Sequence, residues 1–373
     1  MPLPTPRYPE LDWLRVGAFA LLIGYHAGMP FTSWGYHLEN PTSSRTLELF
    51  MLLVNRWRLP LLFFISGAVV GSSLRKRTPG AFVGERMLRI GLPLVAGMVL
   101  FIVPLQIYLE RVYKGQFTGS FWAFWPTTFT TGTYSEGNLS WHHLWYLAYV
   151  LAYSLLLAPL AKPLGTWAER LSRGQARLFL VAVGVLGVLV PGYLYLYYPS
   201  THNFTRDWGN HAQFLLYFLA GYISYRSPAV LGLVTERRRL LLLLTLGCYA
   251  VLYAVWIPRT HLGPTLLGLI YSIVRYATVW FAILALVAWA RHGLTHRPAW
   301  LGRVTTAVYP IYIFHQTATV AACFWVLPLG WYWLVKFGVV LAATFAGGVL
   351  GYLAVRSVPL LRPLFGLKYR TTT

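Results

Sequence analysis

Three ionisable side chains lie in the first long apolar stretch, LDWLRVGAFALLIGYHAGMPF at residues 11–31: Asp12, Arg15 and His26. On an α-helix, Arg15 and His26 are about 20° apart around the axis, and Asp12 falls close to the same face. Ionisable groups in a bilayer are costly and usually functional. An imidazole also titrates near neutral pH, which suits proton transfer. The spacing predicts a polar stripe that leads into the membrane and ends at His26.

Each of these residues also has a structural interpretation. Arg15 can extend to lipid headgroups with Asp12 as its partner at i, i+3. His26 can be a packed histidine that makes one interhelical hydrogen bond. The shared face favours a functional role for His26 over this alternative.

The second apolar stretch contains LVNRWRLPLLFFISG, with Asn55, Arg56 and Arg58 in the half that reaches the depth of His26. Two arginines at that depth need carboxylates, carbonyls or water as partners, and Glu48 is the acid close to them in this stretch. We expect Arg56 or Arg58 to face His26 and to bind an anionic group or a developing oxyanion.

Polar groups recur at three later places. GERMLRIGLP places Arg86 and Arg89 at i, i+3, a pair suited to phosphate, although spacing alone favours plain anchoring at the inner surface. TTAVYPIYIFHQ places His315 in the middle of an apolar stretch, as a polar site or as a packed histidine. NLSWHHLWYL places His142 and His143 together at the outer surface. Neighbouring histidines do not converge on a helix and no further ligand completes a set, so a metal site is not expected.

The elements that position these residues are transmembrane helices. Of 373 residues, 57% are hydrophobic and 11% are charged, against about 25% charged in soluble domains. A span needs about 20 mostly apolar residues. The ten predicted spans are 11–31, 47–71, 87–109, 142–160, 177–198, 211–226, 239–257, 265–290, 303–327 and 331–355. We therefore expect an all-α polytopic membrane protein that forms one domain over 1–373, without a separate soluble domain.

The distribution of lysine and arginine predicts the orientation. With the amino terminus inside, the inner segments carry 21 of these residues and the outer segments carry 5. Cytoplasmic loops are enriched in positive charge, so both termini are expected in the cytoplasm. The same rule explains the net charge of +21 without nucleic acid as a partner. No cleavable signal precedes the first span, so we expect it to be retained.

In combination these motifs resemble the acyltransferase 3 family of bacterial membrane O-acyltransferases. The resemblance rests on LDWLR and GYHAG, then LPLLFFISG, RMLRI with LP, HHLWYL and YPIYIFHQ, in the family's order over most of the chain. Within the family, the resemblance is strongest to the members that are thought to add succinyl groups to periplasmic glucans.

The resemblance implies a multi-pass protein of the bacterial inner membrane that uses cytoplasmic acyl-CoA as a co-substrate, with no bound cofactor. It implies transfer of an acetyl or succinyl group to a hydroxyl of an extracytoplasmic glycan or a related acceptor. It implies His26 as the essential histidine, and Arg86 and Arg89, with Asp12 and Arg15, at the end of the site that holds CoA. The residues expected on the acceptor side are Glu136, Trp141, His142, His143, Trp145 and His315.

Several alternatives stay open at this stage. A transporter or flippase for an anionic glycan or lipid would move its substrate without turning over acyl-CoA. A binding or scaffolding module would tolerate loss of His26. An N-acyltransferase acting on an amino sugar would form an amide product. Within the favoured enzyme, His26 can act as a base or can carry the acyl group.

Overall fold

The computed structural model describes residues 8–75, 77–260, 262–263 and 265–369. Helices make up the described architecture, and no regular β-strand occurs among these residues, which confirms the all-α class. The helices are α1 (Pro9–Gly28), α2 (Arg45–Asn55), α3 (Arg58–Leu74), α4 (Pro79–Arg86), α5 (Leu92–Val99), α6 (Val103–Tyr113), α7 (Phe121–Phe124), α8 (Thr127–Thr130), α9 (Trp145–Glu169), α10 (Arg173–Tyr197), α11 (Trp208–Ser224), α12 (Pro228–Glu236), α13 (Arg238–Trp256), α14 (Leu266–Gly293), α15 (Ala299–Val326) and α16 (Trp333–Ser357).

Within the described part of the chain, seven helical stretches are long and apolar enough to cross a membrane. They are Arg45–Leu74, Pro79–Tyr113, His142–Glu169, Arg173–Tyr197, Arg238–Trp256, Leu266–Gly293 and Trp333–Ser357. In lipid, backbone N–H and C=O groups must form hydrogen bonds within their own segment, and apolar segments therefore fold as helices. The protein is thus a multi-pass membrane protein.

The other three predicted spans also form helices, α1, α11 and α15, but these are not among the seven. α11 has 17 residues and is about 25 Å long, less than the 30 Å of a bilayer core. α1 has Glu10 and Asp12 in its first turn. The count of ten spans and the position of the termini therefore remain predictions.

Two predicted spans are interrupted. The second divides at Arg56 and Trp57 into α2 and α3. The third passes through a π-helical turn at Met87–Gly91 and breaks again at residues 100–102, between α5 and α6. Apolar composition predicts that a segment lies in the membrane but does not reveal such breaks in its hydrogen bonding.

The chain groups into two compact units. The first comprises the described residues of Met1–Ala18, Leu52–Val83 and Ala152–Gly302. Its tightest packing joins α3 to α11 through two glycines. A Cβ added at Gly67 would lie 1.8 Å from the carbonyl oxygen of Phe218, and one at Gly221 would lie 1.9 Å from that of Phe64. The two helix backbones therefore touch, as small residues allow in membrane proteins.

The second unit comprises the described residues of Phe19–Met51, Gly84–Leu151 and Arg303–Thr373. Its buried core contains Ala27, Phe31 and Leu38 together with Val320 and Cys323 of α15. Glycines of α16 also pack closely on α15: a Cβ at Gly347 would lie 2.6 Å from that of Ala318. This packing fixes the end of α1 and the middle of α15, which carry His26 and His315.

Candidate active site

The centre of the second unit is a pair of histidines from α1 and α15. His26 Nδ1 and His315 Nε2 lie 2.8 Å apart, and the two rings stack with an angle of 14° between their planes. His315 is fully buried, whereas His26 is half-buried. Two of the histidines that the sequence predicted separately are therefore one hydrogen-bonded pair.

The partners of the pair determine where its protons lie. His315 Nδ1 is bonded to the carbonyl oxygen of Tyr312. A carbonyl only accepts hydrogen bonds, so His315 Nδ1 carries a proton and, in the neutral ring, Nε2 accepts. His26 Nδ1 therefore donates to His315, and the lone pair of the His26 ring resides on Nε2. This orients His26 as a base or nucleophile through Nε2.

A buried polar shell holds His315 and its neighbour His143 in place. The hydroxyl of Tyr312 donates to the carbonyl of His143, and His143 Nε2 donates to the carbonyl of Ile313 at 3.0 Å. The His143 ring packs edge-on against His315 at 5.2 Å. These contacts show that His143, predicted on the acceptor side, supports the histidine pair directly.

A second polar cluster, which we call the Glu110 cluster, consists of His37, Glu110, Lys114, Tyr134, His142 and Gln316. Glu110 is only 1% exposed, and its carboxylate accepts hydrogen bonds from His37 Nδ1 at 2.8 Å, Lys114 Nζ at 2.7 Å and the Tyr134 hydroxyl at 2.8 Å. Burial and the Glu110 carboxylate raise the pKa of Tyr134, so its phenol stays protonated and donates. Three hydrogen bonds thus hold the Glu110 carboxylate in place.

Two further residues complete this cluster. His142 Nδ1 lies 3.3 Å from His37 Nε2, and the side-chain amide of Gln316 lies 3.2 Å from the same nitrogen. His142 has a positive φ of 40°, a conformation that is uncommon outside glycine. Its Nε2 is buried and has no hydrogen-bond partner among the residues that the structure describes. Within the described part of the chain, the cluster therefore ends in an unbonded imidazole nitrogen.

The remaining residues predicted on the acceptor side, Glu136, Trp141 and Trp145, are not members of the Glu110 cluster. Glu136 is exposed in the loop before His142, and the acid that is hydrogen-bonded to His37 is Glu110. Trp145 is 8% exposed and packs edge-on against Tyr149 at 5.1 Å, and Trp141 is half-buried.

The arginines predicted to bind phosphate lie at the π-helical turn. Arg86 ends α4, Arg89 lies within Met87–Gly91, and both are half-exposed. Arg89 Nε lies 3.4 Å from Glu85 Oε1. π-helical turns are rare and are often found at functional sites. The binding of phosphate by Arg86 and Arg89 remains a prediction.

In the first unit, Asp12 accepts a hydrogen bond from Arg297 Nε at 2.7 Å. Arg15 follows on the same helix and is half-exposed. The Arg56 guanidinium lies over the ring of Trp256, 5.8 Å from its centroid. Arg58 is 3% exposed at the start of α3, and Asn55 ends α2. Whether Arg56 or Arg58 binds an anion remains a prediction.

Sequence reasoning missed His37, Glu110, Tyr134 and Gln316. Glu110 had a usable signal, because an acid within the apolar stretch before residue 113 is costly unless it is paired. His37 lies in the irregular segment between α1 and α2, where no periodicity indicates its neighbours.

Comparison with known proteins adds the family. The model of the acyltransferase domain family matches residues 8–353. Among curated proteins, glucans biosynthesis protein C of Escherichia coli (strain K12) is 24% identical over 251 residues, which cover 64% of this chain and 63% of the relative. The protein of the same name from Salmonella heidelberg (strain SL476) is 23% identical over 212 residues, 53% of this chain and 52% of the relative.

These alignments span less than two thirds of the relatives' own length. No solved structure matches the chain. The family match, in contrast, covers nearly the whole sequence, including both members of the central histidine pair. The chain belongs to the acyltransferase domain family and is a membrane acyltransferase homologue.

Proposed function

We propose that this protein transfers an acetyl or succinyl group from cytoplasmic acyl-CoA to a hydroxyl of an extracytoplasmic glycan or a related envelope acceptor, in the bacterial inner membrane. The observation that carries the proposal is the His26–His315 pair, which directs the lone pair of His26 onto Nε2. The family supplies the reaction class, acyl transfer.

The histidine pair suits the chemistry at a thioester. His26 Nε2 can take the acceptor's hydroxyl proton or can attack the thioester carbon, and either step leaves positive charge on the ring. His315 Nε2 lies 2.8 Å from His26 Nδ1 and can accept the Nδ1 proton as that charge develops. The positive charge is thereby shared by two stacked rings, which lowers the cost of forming it in a buried site.

The donor end of the site is assigned to the arginines. Guanidinium groups match phosphate oxygens in charge and shape, so Arg86 and Arg89 are proposed to hold the CoA phosphates, with Asp12 and Arg15 at the same membrane face. Asn55, Arg56 and Arg58 are proposed to bind the oxyanion or the carboxylate of a succinyl group.

The acceptor end is assigned to the outer loop and the Glu110 cluster. The segment between α6 and α9 is rich in aromatic residues, including Trp122, Trp125 and Trp141, and sugars stack on such rings. The curated relatives are named for glucan biosynthesis, which supports a glycan as the acceptor class.

The test uses the purified protein in proteoliposomes, with radiolabelled acetyl-CoA or succinyl-CoA on one side and gluco-oligosaccharides on the other. We expect label on the oligosaccharide in an alkali-labile ester. A hydroxylamine-stable amide would identify an N-acyltransferase instead. Movement of the oligosaccharide without consumption of either acyl-CoA would overturn the proposal in favour of a transporter.

A further inference from the structure

The Glu110 cluster contains a chain of three groups that the histidine pair does not use. Glu110 Oε2 accepts from His37 Nδ1 at 2.8 Å, and His37 Nε2 faces His142 Nδ1 at 3.3 Å. Because the carboxylate accepts the hydrogen bond of His37 Nδ1–H, the neutral His37 ring accepts at Nε2. His142 Nδ1 then donates, and the lone pair of His142 resides on Nε2, the buried atom without a partner.

An unpartnered nitrogen of this kind is costly. Leaving a buried polar atom unbonded is unfavourable, because the atom has lost its hydrogen bonds to water, and such atoms require an explanation. His142 also has a positive φ, and residues held in sparsely populated backbone conformations cluster at functional sites. The unused nitrogen and the backbone conformation thus occur in one residue, and both suggest a role in binding or chemistry.

The hydrogen-bonded series Glu110–His37–His142 resembles the arrangements that position catalytic histidines in known enzymes. A buried carboxylate holds an imidazole in one tautomer and stabilises the imidazolium when a proton arrives. Here the carboxylate acts through His37, so a proton accepted at His142 Nε2 releases the Nδ1 proton to His37 Nε2, beside Glu110. The side-chain amide nitrogen of Gln316 lies 3.2 Å from His37 Nε2 and shares the lone pair of that nitrogen with His142 Nδ1.

The Glu110 cluster and the histidine pair contain residues that are adjacent in sequence. His142 precedes His143, whose ring packs on His315 at 5.2 Å. Gln316 follows His315, and its amide reaches His37. Two imidazole nitrogens with lone pairs, on His26 and His142, therefore belong to two polar groups of the second unit that share adjacent residues of the chain.

We propose that the two histidines divide the reaction: His26 carries the acyl group, and His142, positioned by His37 and Glu110, is the base that deprotonates the acceptor hydroxyl. This inference rests on the proposed function and specifies its mechanism. It assigns one imidazole to each half of the transfer.

In the proposed reaction, His26 first takes the acyl group from CoA and then passes it to the acceptor. His26 Nε2 attacks the thioester carbon, the C–S bond breaks, CoA leaves as a thiolate, and the Nδ1 proton of His26 passes to His315 Nε2. The acceptor hydroxyl then gives its proton to His142 Nε2, and its oxygen attacks the acyl carbon. The bond from this carbon to His26 Nε2 breaks, and His315 returns the proton to His26 Nδ1. The proton on the His142–His37 chain is finally released and balances the CoA thiolate.

The test separates the two halves with His142→Gln in the full-length protein. Labelled acyl-CoA is mixed with enzyme without acceptor, and we measure CoA release and protein-bound label, before gluco-oligosaccharides are added. For the wild type we expect about one CoA per enzyme and rapid loss of label to the oligosaccharide. For His142→Gln we expect the same first step, with the second slowed by about 10²–10⁴-fold.

Controls keep the result interpretable. His292→Gln, at an exposed histidine, is expected to behave as the wild type in both steps. Glu110→Gln retains a hydrogen-bond acceptor for His37 but lacks the charge, so it should slow only the second step, whereas a merely structural role would impair both. Thermal unfolding of each variant checks that it is folded.

The outcomes distinguish this inference from the proposed function. Wild-type transfer by a folded His142→Gln protein would overturn the role of His142, and so would a wild type that releases no CoA until acceptor is added. Absence of all acyl-CoA turnover in the wild type would instead overturn the proposed function itself.

Discussion

At the scale of single residues, the geometry that matters most joins positions 289 residues apart, His26 and His315. The sequence indicated both histidines, because each lies in an apolar stretch where an ionisable group is expensive. It could not indicate that they pair, since no local spacing relates α1 to α15. It also assigned Glu136 to the acceptor side, whereas Glu110 is the acid within the cluster.

Replacing His315 should separate catalysis from binding. In His315→Gln the amide oxygen can still accept the Nδ1 hydrogen bond of His26 but cannot take up its proton. We expect transfer to slow by about 10²-fold, with an unchanged Kd for acyl-CoA measured by calorimetry. Transfer at the wild-type rate would show that His315 only packs against His26.

At the scale of elements, apolar runs predicted where helices lie, but not where they break. The break at Arg56 and Trp57 and the π-helical turn at Met87–Gly91 both lie at arginines singled out by sequence. Mean composition is insensitive to such features, because a helix and an interrupted helix bury similar apolar residues. The close contact of α3 with α11 was likewise invisible before the two glycines were placed together.

The α3–α11 contact predicts a stability difference. Gly67→Ala forces a Cβ against the Phe218 carbonyl and should destabilise the protein by about 1–3 kcal/mol. Gly247→Ala is the matched control, because nothing lies within 4 Å of its added Cβ on α13. Thermal unfolding in detergent should show a lowered Tm for Gly67→Ala alone. An equal Tm for both variants would contradict the close packing.

The π-helical turn carries the predicted donor site. Combining Arg86→Ala with Arg89→Ala should raise the Kd for acyl-CoA at least about tenfold, since each lost guanidinium–phosphate contact is charge-assisted. Arg237→Ala with Arg239→Ala, at two exposed arginines, removes the same charge elsewhere. Equal calorimetric Kd values for the two double variants would refute the phosphate role.

At the scale of the whole molecule, the distribution of charge predicts the orientation that the proposed reaction requires. The count of 21 basic residues on one side against 5 on the other predicts that the loop of residues 110–141 is outside and that both termini are inside. A cytoplasmic donor and an external acceptor need the inner arginines and the outer histidine cluster on opposite faces of the membrane.

Single cysteines test this orientation, after Cys248 and Cys323 are replaced by serine. Glu136→Cys in the predicted outer loop should react with a membrane-impermeant maleimide in intact cells. Arg177→Cys, at an exposed position on the predicted inner side, should react only after permeabilisation. The reverse pattern would invert the assignment of donor and acceptor faces.

The central claim is that His26 Nε2 performs the chemistry of acyl transfer, and one comparison tests it most directly. Transfer from labelled acyl-CoA to gluco-oligosaccharides is measured for the wild type and for His26→Gln, together with the Kd for acyl-CoA. The account predicts a loss of transfer of about 10³-fold or more, with Kd and Tm close to wild type. Transfer within tenfold of the wild-type rate by the folded variant would contradict it.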